Sequence, residues 1–388
     1  ALAWDDGVIR WAGPEAALPA EHRDLPRWDA GGRLVVPGLV DCHTHLGFGG
    51  WRADEFEQRI RGASYLEIAR RGGGIASTVR ATRRLDRDAL VARCLGFLDE
   101  IVRLGVTTVE CKSGYGLEEA TELRTLRAYR EAGERHPARL ASTFLGAHVV
   151  APEYEDDPDG YVRFLCDTLI PRVAEEGLAE FCDVFVEESA FTVERARTVL
   201  QAGRRHGLRP KLHADQLTDG GGAELAAEVG AVSADHLEHV SDPGIRALAP
   251  SGTVAVSLPI ATLYLGQPPM PARKLIEAGV PVAVGTDFNP GSAPSHHLPL
   301  ALMLACTLQR MTPAEALKGA TIIAARAIGR EDAVGSLEPG KLADFAVLDS
   351  PSVNHWLYHF RGNAAVATVI DGRVAWEAES GALTLTGA

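Results

Sequence analysis

No apolar run in these 388 residues approaches the ~18 expected of a membrane span. The first residues also lack the basic, apolar and small-residue succession of a secretory signal. Any Cys-x-x-Cys pair is missing as well. The six cysteines, Cys42, Cys94, Cys111, Cys166, Cys182 and Cys306, stand apart in apolar or helical contexts. That distribution reads as reduced core thiols of a cytoplasmic protein and excludes a disulfide framework. Positive charge is scarce: 39 Lys and Arg face 52 Asp and Glu, a formal net charge of −13. No nucleic acid and no anionic membrane is therefore expected as a partner, and an anionic substrate would need arginines placed locally against the overall field. No repeat array and no long linker interrupt the chain. It opens at Ala1, inside strand-like sequence and without a methionine, so preceding residues are expected to be missing from it.

What is present suits a soluble globular protein, with 46% hydrophobic and 23% charged residues. The length exceeds the ~250 typical of a single (β/α)8 barrel, so one large domain plus an accessory piece is expected. Short apolar runs alternate with amphipathic Ala/Arg/Glu-rich stretches, the pattern of a parallel sheet. Eight strand candidates emerge: Leu34–Val40, Val106–Cys111, Leu140–Ala147, Phe181–Val186, Pro210–His213, Ala231–His236, Thr253–Ser257 and Val280–Thr286. Helices are predicted between them, over Arg87–Leu104, Glu118–Glu134, Tyr161–Glu176, Val193–His206 and Gly222–Glu228. Eight such units predict a closed barrel. An open doubly wound sheet is second, because no strand candidate runs into a glycine-rich phosphate fingerprint. The two ends differ from this pattern. Each carries an Asp-Gly pair between short apolar runs, Asp5-Asp6-Gly7-Val8 and Ile370-Asp371-Gly372-Arg373, which suits a type I′ hairpin. One small β domain from residues 1–34 and 337–388, flanking a barrel of 35–336, is the expected organisation.

The chemistry concentrates at strand ends. Val36-Pro37-Gly38-Leu39-Val40-Asp41-Cys42-His43-Thr44-His45 closes an apolar run with two histidines spaced i, i+2. On a strand these share a face, as two cis ligands of one ion must. His148 follows the third strand candidate, His213 and His236 end the fifth and sixth, and Asp287 follows the eighth. In a barrel all six converge on the C-terminal face, where active sites are built. His22, His136, His206, His355 and His359 fall elsewhere, and His239, His296 and His297 lie near the site without an evident role. Imidazoles and a carboxylate around one ion leave a position for water, whose pKa the ion lowers toward ~7. A neighbouring carboxylate can then move the water's proton to a leaving nitrogen.

With those residues in place, the chain resembles the amidohydrolase superfamily. The resemblance implies an α/β fold, a distorted (β/α)8 barrel with a small β-sandwich built from both termini. It also implies one divalent metal ion, zinc or iron, on His43, His45, His213 and Asp287. Binuclear members bridge two ions with a carbamylated lysine ending the fourth strand. Here that strand runs Asp183-Val184-Phe185-Val186-Glu187 and has none.

Longer stretches narrow the resemblance to the imidazolonepropionase family of histidine degradation. They are His43-Thr44-His45-Leu46-Gly47-Phe48-Gly49-Gly50-Trp51-Arg52, Gly72-Gly73-Gly74-Ile75-Ala76-Ser77-Thr78-Val79-Arg80, Glu110-Cys111-Lys112-Ser113-Gly114-Tyr115-Gly116, Lys211-Leu212-His213-Ala214-Asp215-Gln216 and Thr286-Asp287-Phe288-Asn289-Pro290-Gly291-Ser292. The implied reaction is hydrolysis of the cyclic amide of 4-imidazolone-5-propanoate to N-formimidoyl-L-glutamate. The implied catalytic residues are Asp287 as general base, His236 and Gln216. Substrate would be bound by Arg52, Tyr115, His148 and Gln216, with Asn289, Gly291 and Ser292 on a loop offering backbone N–H groups. Arg52 suits the propionate because a guanidinium pairs with a carboxylate bidentately. A homodimer in the cytoplasm is implied too. A metal-dependent deaminase of a small heterocycle is the alternative. It is disfavoured because Gln216 stands where deaminases carry a proton-shuttling Glu. A non-catalytic scaffold would be expected to have lost metal ligands, and none of the expected set is missing.

Overall fold

Pro37 and Gly38 divide the first strand candidate in two. Proline has no N–H to continue a ladder, and a Cβ at position 38 would stand 2.3 Å from Thr107 Oγ1. In the computed structural model, which describes residues 1–63, 67–68, 72–379 and 384–386, Leu34–Pro37 therefore joins an outer sheet. The chain restarts as the first barrel strand, β1, over Leu39–Thr44.

Seven more strands follow: β2 (Val106–Lys112), β3 (Arg139–Ala147), β4 (Phe181–Val186), β5 (Arg209–Ala214), β6 (Ser233–His236), β7 (Val254–Ser257) and β8 (Val282–Val284). They pair in sequence order, all parallel. The seam between β8 and β1 is closed by Asp287 N–H donating to His43 O (3.0 Å) and His45 N–H donating to Phe288 O (2.9 Å). β8 is shorter than the Val280–Thr286 expected, because Thr286 turns its N–H (3.0 Å) and hydroxyl (2.6 Å) to the Asp41 carboxylate instead of a strand. The barrel is thus the fold expected from the alternating pattern.

The predicted helices are present with one correction. Tyr161–Glu176 is not a continuous α-helix: it is Pro158–Phe164, a π-helical turn over Leu165–Leu169, then Ile170–Glu175. Pro171 supplies no N–H, so the ladder cannot run through it unbroken. Elsewhere the starts are capped as the sequence suggests. Asp86 accepts from Ala89 N–H (2.8 Å) ahead of Arg87–Val102, and Thr312 with Glu315 forms a capping box. Among the described residues no helix is long and apolar enough to cross a membrane.

Both Asp-Gly hairpins form, with φ of +49° and +74° at Asp6 and Gly7 and +51° and +69° at Asp371 and Gly372. The N-terminal hairpin is Leu2–Asp5 with Val8–Ala12. The C-terminal one, Ala365–Ile370 with Arg373–Glu377, extends through Phe345–Leu348 to Leu34–Pro37 as a four-stranded sheet. Thr384–Thr386 pairs with Arg27–Asp29. Trp4 locks the pieces together, its ring edge-on to Trp28 and Phe345 (5.3 Å each) and its indole N–H on Gly372 O (3.2 Å). Arg139 at the start of β3 contacts Asp344 and Asp371, so these terminal sheets sit at the N-terminal ends of the barrel strands.

Candidate active site

The period of two along β1 turns His43 and His45 into the barrel mouth, both buried. β5 brings His213 against them and β6 brings His236. Ring centroids lie 4.6 Å apart for His43 and His213, 5.3 Å for His43 and His45, and 5.6 Å for His43 and His236. Asp287 Oδ1 lies 3.3 Å from His43 Nε2 and 3.4 Å from His45 Nε2, and His213 Nε2 lies 3.4 Å from His45 Nε2. Four donors held ~2.1 Å from a tetrahedral centre would stand about 3.4 Å from one another, so these separations fit a divalent ion. Other observations support the fit. His43 Nε2 is buried without a hydrogen-bond partner. The Nδ1 atoms of His43 and His213 are taken by carboxylates, Asp235 at 2.6 Å and Asp183 at 3.1 Å. A carboxylate on Nδ1 leaves the Nε2 lone pair free for a metal. His236 adjoins them: donor atoms of His43, His213 and His236 fall within 4.8 Å of one another.

Burial and Lys112 lower His43, but the Asp235 and Asp287 carboxylates outweigh them and raise it to about 9, so a bound ion would have to displace its proton. Burial pushes the Asp287 carboxyl up, but contacts from His43 and His45 hold it well below the usual carboxylate range, so it is ionised. Burial lowers His213 to about 3, and burial with neighbouring imidazoles lowers His148 well below its ordinary value. Both rings are neutral. Backbone strain concentrates here too: His236 and Asp287 adopt φ of +82° and +57°, conformations costing about 1–3 kcal/mol each for non-glycine residues.

The expected substrate residues gather around the same mouth. Tyr115 and His148 pack beside His45, with ring distances of 5.7 and 5.3 Å, and His148 Nδ1–H donates to Gly114 O (3.1 Å). Arg52 is 9% exposed, its Nε has no partner, and its nearest carboxylate is Glu55 at 3.9 Å. Its guanidinium lies against Gly291, where a Cβ would stand 1.7 Å from Nη2. Gln216 is half-buried on the loop after β5.

One expectation is corrected. The loop after β8 does not offer the N–H groups of Gly291 and Ser292 to a ligand, because both donate to Asn289 Oδ1 at 2.8 Å. Asn289 consumes them as an Asx-type turn, and its own amide is spent on Asp287 O and Ser292 Oγ. Ser292 Oγ in turn donates to Asp287 Oδ2 (3.1 Å), and Gly291 serves as the seat of Arg52. His297, without an evident role in sequence, caps the helix Leu298–Gln309 through Nδ1.

Sequence reasoning missed the layer beneath. Asp183 and Asp235 orient His213 and His43, and Lys112 bridges both carboxylates, all of them buried. Glu187 at the end of β4 accepts from Leu217 N–H (2.9 Å) and from the backbone and hydroxyl of Thr218, fixing the loop that bears Gln216. The available signal was a charged residue inside each otherwise apolar strand.

Fold and donor set together define an amidohydrolase. The chain belongs to the amidohydrolase family, whose sequence profile matches residues 34–375. Solved structures with the same fold include 5-methylcytosine deaminase from Klebsiella pneumoniae (TM-score 0.77, 18% identity, 97% of this chain and 94% of that one) and E. coli guanine deaminase (TM-score 0.72, 20% identity, 97% and 92%). Sequence relatives are far nearer. The chain is 49% identical to an imidazolonepropionase from Cupriavidus pinatubonensis, over 96% of this chain and 89% of the relative. It is 48% identical to another from Geobacillus thermodenitrificans, over 95% and 88%. Within the amidohydrolases it falls in the imidazolonepropionase family.

Proposed function

We propose that this chain hydrolyses the ring amide of 4-imidazolone-5-propanoate to N-formimidoyl-L-glutamate in L-histidine degradation. The observation that carries the reading is Arg52. A nearly buried guanidinium seated on Gly291, its Nε without a partner and its nearest carboxylate, Glu55, 3.9 Å away, calls for a carboxylate ligand. The propionate supplies one, with the Tyr115 hydroxyl as a second donor.

His43, His45, His213 and Asp287 would hold one zinc or iron ion, which when bound supplies a water of lowered pKa. Asp287, ionised and steered by Ser292, takes the proton of the attacking water and passes it to the ring nitrogen as the amide bond breaks. His236 faces the carbonyl and stabilises its developing negative charge. His148 lies against the ring. Gln216 hydrogen-bonds the ring and carries no proton, which favours amide hydrolysis over deamination. The same reading takes the enzyme as a cytoplasmic homodimer.

Ultraviolet monitoring of imidazolone propionate with purified, metal-analysed protein tests this. Loss of the imidazolone absorbance without ammonia release is expected. Ammonia release would point to the deaminase instead, and an inert substrate would overturn the assignment.

A further inference from the structure

Beneath the histidines, the barrel interior holds a cation that the mechanism above does not use. Lys112, at the end of β2, is fully buried. Its ammonium donates to Asp183 Oδ2 (2.7 Å) and Glu110 Oε1 (2.8 Å) and lies 3.3 Å from Asp235 Oδ2. Two of those three carboxylates are the groups that hold metal-facing histidines. Asp183 gives its other oxygen to His213 Nδ1, and Asp235 Oδ2 takes His43 Nδ1 while Ser233 Oγ donates to its Oδ1 (2.5 Å). A single ammonium thus joins β2 to β4 and β6 and, through them, to the imidazoles of β5 and β1. Its own backbone is fixed: Tyr129 hydroxyl donates to Lys112 O (2.8 Å) and accepts from Gly47 N–H (2.8 Å), on the loop after β1.

Three buried carboxylates shared by Lys112 and, 3.4 Å from Glu110 Oε1, by the buried Lys211 are a poor way to stabilise a core. Desolvating such charges costs several kcal/mol per ion, and apolar packing of like volume often does as well. Nor does Lys112 suit the role of a carbamylated bridge between two ions, since a carbamate there would place an anion among three anions.

We propose that Lys112 is a positioning residue for the metal centre: by pinning Asp183 and Asp235 it directs Nε2 of both His213 and His43 to one point. The proposal rests on the metal reading above, and its test separates the two. Zinc affinity is measured on the metal-stripped full chain by competition with a chromophoric chelator, alongside thermal melting, for the parent, Lys112→Met and Glu110→Gln. Glu110 meets the same ammonium, the buried Lys211 (3.4 Å) and Thr143 Oγ1 (2.5 Å), and orients neither His213 nor His43, so Glu110→Gln reports what disturbing the cluster alone does. Lys112→Met is expected to weaken zinc by about 10- to 100-fold, with a shift below about tenfold for Glu110→Gln even where its melting temperature falls. Should Lys112→Met not fold, the charge-balanced double variant Lys112→Met/Glu110→Gln carries the comparison, with the same loss of affinity expected. Parent-like zinc affinity in the folded lysine variant overturns the proposal. So does a loss of affinity in Glu110→Gln as large as in Lys112→Met, because Lys112 would then act only through core stability. A parent chain that binds no zinc and no iron would instead remove the metal reading, and this inference with it.

Discussion

The barrel mouth and the terminal sheets bury opposite kinds of surface. The four-stranded terminal sheet closes over Phe345, Val347, Ala367 and Val369, with Trp4 and Trp28 packed against them. Its non-glycine residues with positive φ, Asp371 and, on the neighbouring hairpin, Asp6, are turn residues chosen for that conformation. The mouth buries imidazoles, carboxylates and a guanidinium. It strains His236 and Asp287, and leaves His43 Nε2, Arg52 Nε and His236 Nδ1 without partners. One region is built to be finished by folding; the other is finished only by what binds. Substitutions should therefore separate cleanly, with stability changing at the sheets and chemistry at the mouth.

The largest effect should come at the mouth. Asp287→Asn keeps the shape, loses the base and weakens the metal set, so kcat should fall by about 10²–10⁴ beyond what metal content explains. Metal-replete Asp287→Asn with near-normal kcat would show that another group is the base. Next comes the opposite region. Phe345→Ala should reduce unfolding free energy by about 3–5 kcal/mol in denaturant titrations while kcat/KM of the folded enzyme stays near the parent value. A matching loss of kcat/KM would break the comparison, because the sheet would then be supporting the site.

Arg52 gives a third, sharper test. Arg52→Ala should lower kcat/KM for imidazolone propionate about 10- to 1000-fold and barely affect an imidazolone lacking the propionate. Gly291→Ala should do much the same without touching the charge, because its methyl would displace the guanidinium. Equal losses on both compounds would mean that Arg52 holds its loop rather than the substrate.

The smallest effect concerns pH and the terminal sheets. Burial, opposed by Arg139, raises Asp344 from 3.8 to about 6. A folded-state pKa above the unfolded one favours the fold at low pH, and that stability is lost as pH rises through about 6. The melting temperature of the parent relative to Asp344→Asn should thus be highest below pH 4 and fall by a few degrees toward pH 7. A pH-independent difference would mean that Arg139 fully offsets the burial.

Much of the site was legible because it obeys local periodicities. The i, i+2 spacing of His43 and His45, and single histidines or an aspartate after later apolar runs, follow from strand geometry alone. Both Asp-Gly hairpins followed from turn chemistry. What escaped involved partners distant in sequence. Lys112 meets Asp183 and Asp235 only because the alternate strands β2, β4 and β6 deliver them to one depth in the barrel, and nothing local in Glu110-Cys111-Lys112 marks that meeting. Likewise, Asn289 consuming the Gly291 and Ser292 N–H groups depends on how the loop curls, and Pro37-Gly38 ended a strand that composition alone carried onward to Val40.

The sequence by itself determined the eight strand–helix units, the strand-end residues of the site and the two terminal turns, because each depends on a spacing within a few residues. Only the tertiary structure decided which donors share a centre, what orients them, and that Arg52 rests on a glycine 239 positions away. Hydrogen bonds and close contacts of that kind depend on distances of a few ångströms between segments that chain order leaves unrelated.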